Sequence, residues 1–154
     1  MQKYDIVALG GTFDIIHDGH MKLLNKAFSI SNKTIIGLTS DRLAAKKGKN
    51  LLKNYDQRFE SLKSVIEKNF PKSTYEISKL ENDFGPAVLE DFVQALVVSK
   101  ETSNKGILLN ELRSKGNLPP VEIVVVPMAL AKDGNVISTT RIKNSEIDSS
   151  GNLN

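Results

Sequence analysis

The chain has 154 residues, of which 40% are hydrophobic and 25% are charged, as expected for one globular domain and not for a disordered segment. Its 21 Lys and Arg residues against 18 Asp and Glu residues give a net charge of +3, which suits a phosphate-binding pocket but not a dedicated nucleic-acid-binding surface. The absence of cysteine excludes disulfides, a thiol nucleophile and thiolate metal ligands.

The first half of the chain alternates short β-branched runs with helical patterns of apolar residues. In order, these patterns predict a strand at 5–9, a helix at 20–31, a strand at 34–38, a helix at 56–69 and a weaker strand at 74–77. Gly10 and Gly11 close the first strand, whose apolar run is too short for a signal peptide or a membrane span. Residues 39–53 are polar and lysine-rich and lack an apolar anchor before Leu51, so we expect a mobile basic loop.

The second half of the chain continues the alternation. Its patterns predict a loop at 80–86, a short helix at 87–92, a strand at 95–98, a helix at 104–115, a strand at 121–126 and a final helix capped by Ser138. In the 104–115 helix, Ile107, Leu108 and Leu112 are expected to face inward, and Gly116 is the expected C-cap. The polar residues 149–154 are expected to fray.

Five strands joined by helical connections predict a single α/β domain over residues 1–148, followed by a polar tail over 149–154. The sheet should be mainly parallel with helices on both faces, and its ligands should bind beyond the carboxyl ends of the strands. No targeting or membrane segment is visible, which predicts a cytoplasmic protein without a membrane partner. No long apolar face is left unassigned, which favours a monomer.

Both histidines of the chain follow the first predicted strand. His17 and His20 are three residues apart, so they lie on one side of a helix start. Gly19 between them allows a ligand to approach the backbone, and Thr12 precedes them in the same glycine-rich turn. Imidazoles and a helix N-terminus together favour phosphate binding. A solvated loop and a histidine metal pair are the two alternatives.

Residues 10–14 read Gly-Gly-Thr-Phe-Asp and residues 17–20 read His-Asp-Gly-His. This run resembles the nucleotidyltransferase superfamily that is marked by a histidine-x-glycine-histidine motif. Residues 136–142, Val-Ile-Ser-Thr-Thr-Arg-Ile, resemble the superfamily's second signature. The resemblance implies a Rossmann-like fold in which a second set of residues holds the β- and γ-phosphates of a nucleotide: Ser138, Thr139, Thr140 and Arg141.

Three further segments are similar to the archaeal and eukaryotic type of phosphopantetheine adenylyltransferase: residues 83–87, residues 95–102, and Asn110 with Arg113. Lys100 departs from that pattern, in which a proline or an acidic residue is expected. The implied reaction joins ATP and 4′-phosphopantetheine into dephospho-coenzyme A and pyrophosphate. The alternatives are a superfamily relative acting on glycerol phosphate, flavin mononucleotide or nicotinamide mononucleotide, and a non-catalytic nucleotide-binding module.

The resemblance implies a role for each matching residue. His17 and His20 would donate to the α-phosphate, and Thr12 would bind the attacking phosphate. Lys49 would neutralise that phosphate, with Lys46 and Lys47 as alternatives. The implied ATP-binding set is Gly10, Gly11, His20, Ser99, Glu101, Thr102, Asn110, Arg113, Ser138, Thr139, Thr140 and Arg141. Mg²⁺ would enter with ATP and not on protein ligands, and the implied partners are ATP and 4′-phosphopantetheine, without nucleic acid.

Overall fold

A parallel sheet flanked by helices organises the described part of the chain. The computed structural model describes the following residues: 3–82, 93–100, 103–127, 132, 142 and 151–153. In chain order the elements are β1 (Tyr4–Gly11), α1 (Asp18–Ile30), β2 (Ser31–Thr39), α2 (Asp41–Lys46), α3 (Tyr55–Asn69), β3 (Tyr75–Leu80), β4 (Ala95–Ser99), α4 (Asn104–Lys115) and β5 (Glu122–Val126).

The five strands form one sheet in the order β3-β2-β1-β4-β5, and every neighbouring pair is parallel. The predicted α/β fold with a parallel five-stranded sheet is therefore confirmed. β1 pairs with β2 as far as Gly11 and Leu38. It pairs with β4 through only two residue pairs, the second of which joins Ala8 to Leu96. The chain order changes direction between β1 and β4, so the two strands separate where this topology places ligands.

Alternate residues of the strands feed two apolar cores, one on each face of the sheet. Val7 on one face packs in a cluster with Leu24 of α1 and Leu62 of α3, all fully buried. Ala8 on the other face shares a cluster with Leu109 of α4. The prediction of helices on both faces is confirmed.

The predicted basic loop at 39–53 contains helix α2, so the structure corrects that prediction. Ser40 caps this helix by accepting a hydrogen bond from the Leu43 amide at 3.0 Å, and Leu43 and Ala44 are buried. These two side chains anchor the stretch, and the expectation that it had no apolar anchor before Leu51 was wrong.

Helix α4 presents a different face to the sheet from the one predicted. Its buried residues are Gly106, Leu109 and Arg113. The apolar side chains expected inside are exposed: Ile107 by 65%, Leu108 by 49% and Leu112 by 42%. The Ile123 side chain of β5 fills the space that a side chain at position 106 would need, within 2.5 Å of an added Cβ, which turns this glycine toward the sheet. An apolar face of α4 therefore lies on the surface, so the expectation that no such face is left unassigned was wrong. The monomeric state, which was favoured on that ground, stays a prediction.

Some predicted elements lie outside the described residues, namely the helix at 87–92, most of the loop at 80–86 and the final helix at Ser138. In the predicted tail, Gly151 is buried and its carbonyl accepts a hydrogen bond from the Lys132 amide at 2.9 Å. That residue is packed and not frayed. Within the part of the chain that the structure describes, no helix is long and apolar enough to cross a membrane.

Candidate active site

A crevice opens where β1 and β4 separate beyond their last shared pair. Its empty volume is about 870 Å³, counting open solvent at the mouth. One wall is the end of β1 with Thr12, and the other is the end of β4 with Ser99. The described residues that line it come from the sheet, from α1, α2 and α4, and from the stretch after α2; they include Gly10, Gly11, Leu23, Gly37, Thr39, Leu43, Lys47, Lys49, Leu80, Val98 and Lys105. The predicted position of the site, at the carboxyl ends of the strands, agrees with this crevice.

Lys49 and Thr12 meet inside this crevice. The Lys49 ammonium donates a hydrogen bond to the Thr12 hydroxyl at 2.8 Å. Partial burial lowers the pKa of Lys49, and so do the charges of Lys47, Lys105 and Arg58. These cations make this end of the crevice electropositive, as a phosphate site requires. Of the lysines considered from the sequence, Lys49 is the one with this contact to Thr12.

His17 and His20 together close the first turn of α1. His17 is the N-cap, and its Nδ1 accepts a hydrogen bond from the Gly19 amide at 3.1 Å. The His17 amide in turn donates to Nδ1 of His20 at 3.1 Å, and the two rings stack with their centroids 4.0 Å apart. Because each Nδ1 accepts a hydrogen bond, each neutral ring carries its proton on Nε2. This cap also explains why α1 begins at Asp18 and not at the predicted residue 20.

Gly19 has a structural role beside the one predicted from the sequence. A Cβ at this position would lie 2.9 Å from Cε1 and 3.0 Å from Nδ1 of the His17 ring. The glycine therefore makes room for the capping imidazole, and its expected role in the approach of a ligand stays a prediction.

Both histidines are neutral near pH 7. Burial lowers the pKa of His20 to about 3, with a further contribution from His17. Burial also lowers the pKa of His17, partly opposed by Asp18. The His20 ring lies 4.7 Å from the ring of Phe13, centroid to centroid, which places the pair beside the turn that carries Thr12. The two rings can therefore offer Nε2–H donors without bringing positive charge.

Arg58 is a structural residue of the site that sequence reasoning missed. Its side chain is fully buried, and its Nη1 donates to the carbonyls of Thr12 at 2.9 Å and Thr39 at 2.7 Å. Its Nη2 donates to Asp41 at 2.8 Å. It thus joins the ends of β1 and β2 to the start of α2. The available signal was its position four residues before Leu62, on the apolar stripe of a predicted helix.

The structure brings some of the predicted ATP-binding residues to the crevice and leaves others away from it. Gly10, Gly11 and Ser99 line it. His20 is not among its lining residues, and its ring packs against Phe13 in the turn that follows Thr12. The remaining residues of the predicted set that lie outside the described residues are Glu101, Thr102, Ser138, Thr139, Thr140 and Arg141.

Asn110 and Arg113 bind backbone groups just before β5, at the amino ends of the strands and away from the crevice. The Asn110 amide group donates to the Val121 carbonyl at 3.0 Å and accepts from the Val121 amide at 2.7 Å. Nε of Arg113, which is fully buried, donates to the Pro119 carbonyl at 2.7 Å. Val121 directly precedes β5, so these side chains hold the amino end of that strand. The structure does not bring them to the crevice, and their contact with ATP stays a prediction.

Comparison with known proteins matches residues 8–145 to the family described as cytidylyltransferase-like. The phosphopantetheine adenylyltransferase of Methanosarcina acetivorans is 43% identical over 150 residues, covering 96% of this chain and 94% of that protein. The phosphopantetheine adenylyltransferase of Pyrococcus abyssi is 38% identical over 155 residues, covering 99% and 97%. A crystal structure of a protein of unknown function from Archaeoglobus fulgidus is similar with a TM-score of 0.71 at 32% identity, over 79% of this chain and 88% of that one. The chain belongs to the cytidylyltransferase-like family and, within it, to the phosphopantetheine adenylyltransferases.

Proposed function

We propose that this chain transfers the adenylyl group of ATP to 4′-phosphopantetheine, giving dephospho-coenzyme A and pyrophosphate. The observation that carries the proposal is the 2.8 Å contact between Lys49 and Thr12 in the crevice between β1 and β4. An ammonium and a hydroxyl at this position form a receptor for an acceptor phosphate. The relatives named phosphopantetheine adenylyltransferase support the choice of acceptor.

The reaction needs positioning and charge stabilisation more than a protein nucleophile. Thr12 and Lys49 would hold the acceptor phosphate so that one of its oxygens attacks the α-phosphorus of ATP in line. That oxygen forms the new P–O bond, and the bond between the α-phosphorus and its bridging oxygen breaks as pyrophosphate leaves with the electron pair. His17 and His20 would donate Nε2–H hydrogen bonds to the α-phosphate oxygens, on which negative charge develops.

The apolar part of the crevice favours an acceptor with a long organic arm. Leu43 and Leu80 line it together with the sheet residues Ile35 and Leu96. These apolar side chains line the same crevice as the proposed phosphate receptor at Lys49. We infer that the pantetheine arm runs over these leucines while its phosphate binds Thr12 and Lys49.

We propose that Mg²⁺ enters on the triphosphate of ATP, because this cation prefers phosphate oxygens and retained waters. When bound, it would neutralise charge on the triphosphate. Asp14 is the acid of the glycine-rich turn, and both of its carboxylate oxygens accept backbone amides. Contacts of ATP with Ser99, Glu101, Thr102 and residues 138–141 stay proposals that rest on the family resemblance, as does location in the cytoplasm.

A substrate panel tests the proposal. Purified protein is given ATP, Mg²⁺ and one acceptor at a time, and pyrophosphate release is measured. The acceptors are 4′-phosphopantetheine, dephosphorylated pantetheine, glycerol 3-phosphate, flavin mononucleotide and nicotinamide mononucleotide. We expect release with 4′-phosphopantetheine and none with pantetheine, which lacks the attacking phosphate. Faster release with another acceptor would assign a different substrate, and no release with any acceptor would support a non-catalytic module.

A further inference from the structure

We propose that Asp14 and Gly48 are positioning residues that hold the Lys49 ammonium against the Thr12 hydroxyl, so that the acceptor-phosphate receptor exists before substrate binds. The inference rests on the proposed function for the role of Lys49, but the placement of Lys49 can be measured independently of that function. Each of the two residues fixes one end of the segment 48–53, which carries Lys49.

Gly48 fixes the amino end of this segment through the way α2 terminates. The Gly48 amide donates to the Ala45 carbonyl at 3.0 Å, and the Lys49 amide donates to the Ala44 carbonyl at 3.0 Å. These are the two hydrogen bonds of a Schellman motif, which needs a left-handed residue directly after the C-cap. Gly48 has φ of +75° and provides that conformation. The direction in which the chain leaves α2, and with it the position of Lys49, depends on this one backbone conformation.

The surroundings of Gly48 allow this dependence to be tested without steric damage. A Cβ added at position 48 meets no atom within 4 Å. A side chain there is opposed by its backbone preference and not by packing. Asparagine tolerates the left-handed conformation, whereas a β-branched residue does not. Gly48→Asn and Gly48→Val therefore form a matched pair that differs in access to one φ value.

Asp14 fixes the carboxyl end of the segment. Its side chain is 3% exposed, and its two oxygens accept hydrogen bonds from the amides of Leu52 at 2.9 Å and Lys53 at 3.0 Å. Arg58 reinforces the same end, because its Nε donates to the Lys53 carbonyl at 3.2 Å. Asp14 follows Thr12 by two residues, so one carboxylate ties the Lys49 segment directly to the turn that carries its partner.

Local charge makes such fixing necessary. Lys47, Lys105 and Arg58 all repel the Lys49 ammonium, and water would solvate this charge better than the crevice does. Without a constraint on its backbone, the lysine would move outward. The Schellman turn and the Asp14 carboxylate oppose that movement. They hold the Lys49 ammonium near other cations before a phosphate binds.

Kinetics of variants in two backgrounds test the coupling to Lys49. Asp14→Asn and Gly48→Val should each raise KM for 4′-phosphopantetheine on the order of tenfold, since a displacement of about 1 Å can cost about 100-fold in rate. KM for ATP should change little, and Gly48→Asn should stay close to wild type. In a Lys49→Ala background neither Asp14→Asn nor Gly48→Val should raise KM for 4′-phosphopantetheine further, because the lysine through which they act is absent. Equal losses in both backgrounds would overturn the inference.

An NMR titration of the Lys49 side chain gives a second readout that does not need activity. In Gly48→Val and Asp14→Asn the pKa of Lys49 should rise toward its ordinary value, whereas Gly48→Asn should keep the lowered value. Loss of the Asp14 charge by itself would lower the pKa, so a rise in that variant reports displacement of the lysine. An unchanged pKa in Gly48→Val and Asp14→Asn would refute the inference. If the wild type released no pyrophosphate, the proposed function would fail while this titration still decided the positioning of Lys49.

Discussion

The backbone amide of His17 donates to Nδ1 of His20, while Nδ1 of His17 accepts from the amide of Gly19. This is a capping box in which two imidazoles take the places usually held by a hydroxyl and a carboxamide or carboxylate. The same rings are the proposed donors to the α-phosphate. Nδ1 is used for the helix and Nε2 is left for the substrate, so structure and catalysis depend on different atoms of the same side chain.

Two substitutions at His17 should separate these duties. Asparagine places an acceptor near the position of Nδ1 and nothing at Nε2, so His17→Asn should keep the cap. We expect its kcat to fall on the order of 100-fold with less change in KM for ATP, since the lost donor acts mainly in the transition state. Its melting temperature should stay close to wild type, as measured by circular dichroism.

His17→Gln is the matched control. Glutamine can place a donor near Nε2 but loses the capping geometry, which costs about 1 kcal/mol of stability. We expect this variant to melt earlier than His17→Asn and to turn over faster. Wild-type turnover by a folded His17→Asn protein would remove this histidine from the mechanism.

The lowered pKa of His20 predicts a specific loss of stability in acid. Its folded-state pKa of about 3 lies below the unfolded value near 6.5, so the unfolded chain binds the proton more readily in that interval. Stability should fall as pH decreases from about 6.5 toward 3, by at most about 1.4 kcal/mol per pH unit from this group. Melting temperatures between about pH 4.5 and 7.5 should therefore fall less steeply for His20→Asn than for wild type. If the melting temperatures of the two proteins changed with pH in parallel, His20 would not be kept neutral by the fold.

Lys49 should matter for the acceptor and Lys46 should not. Lys49→Ala removes the ammonium that contacts Thr12, so we expect KM for 4′-phosphopantetheine to rise by on the order of tenfold or more while KM for ATP changes little. Lys46→Ala, in the exposed last turn of α2, serves as the control for general loss of positive charge. Similar effects of the two substitutions would indicate long-range attraction and not a specific receptor.

Arg58 should be a strong determinant of stability. Lysine at this position cannot reach all four acceptors that the guanidinium satisfies, and each buried carbonyl left unpaired costs about 1–3 kcal/mol. We expect Arg58→Lys to lower the free energy of unfolding by about 2–4 kcal/mol in urea. Arg42→Lys is the control, because Arg42 bonds Glu81 at the surface and should cost at most about 1 kcal/mol. If the two substitutions lowered the free energy of unfolding equally, the Arg58 hydrogen bonds would contribute no more stability than a surface ion pair.

The sequence predicts the strands of the sheet well because these elements depend on local pattern. Buried parallel strands read as short apolar runs, and the helical patterns between them imply parallel pairing. The two histidines and Thr12 lie within nine consecutive residues, so their proximity needs no knowledge of tertiary contacts. The structure confirms the strands and places Thr12 at the crevice.

The errors arise where distant residues decide the outcome. The inward face of α4 is set by Ile123, which packs against Gly106 seventeen positions earlier, and helical periodicity alone favoured the three apolar residues instead. The burial of Arg58 depends on carbonyls at the ends of two strands. The order in the basic stretch depends on Asp14, whose amide partners lie almost forty residues away. Of these, only the burial of Arg58 leaves a trace in the local pattern, because this residue lies four positions before Leu62 on the apolar stripe of a predicted helix.

The most direct measurement for the central claim is the identity and amount of product. Purified protein with ATP, Mg²⁺ and 4′-phosphopantetheine is sampled over time, with dephospho-coenzyme A quantified by mass spectrometry and pyrophosphate by an enzymatic assay. Direct adenylyl transfer in the crevice between β1 and β4 predicts that the two products appear together in equal amounts, and that His17→Asn slows both alike. Pyrophosphate without dephospho-coenzyme A, or neither product from folded wild-type protein, would contradict the account.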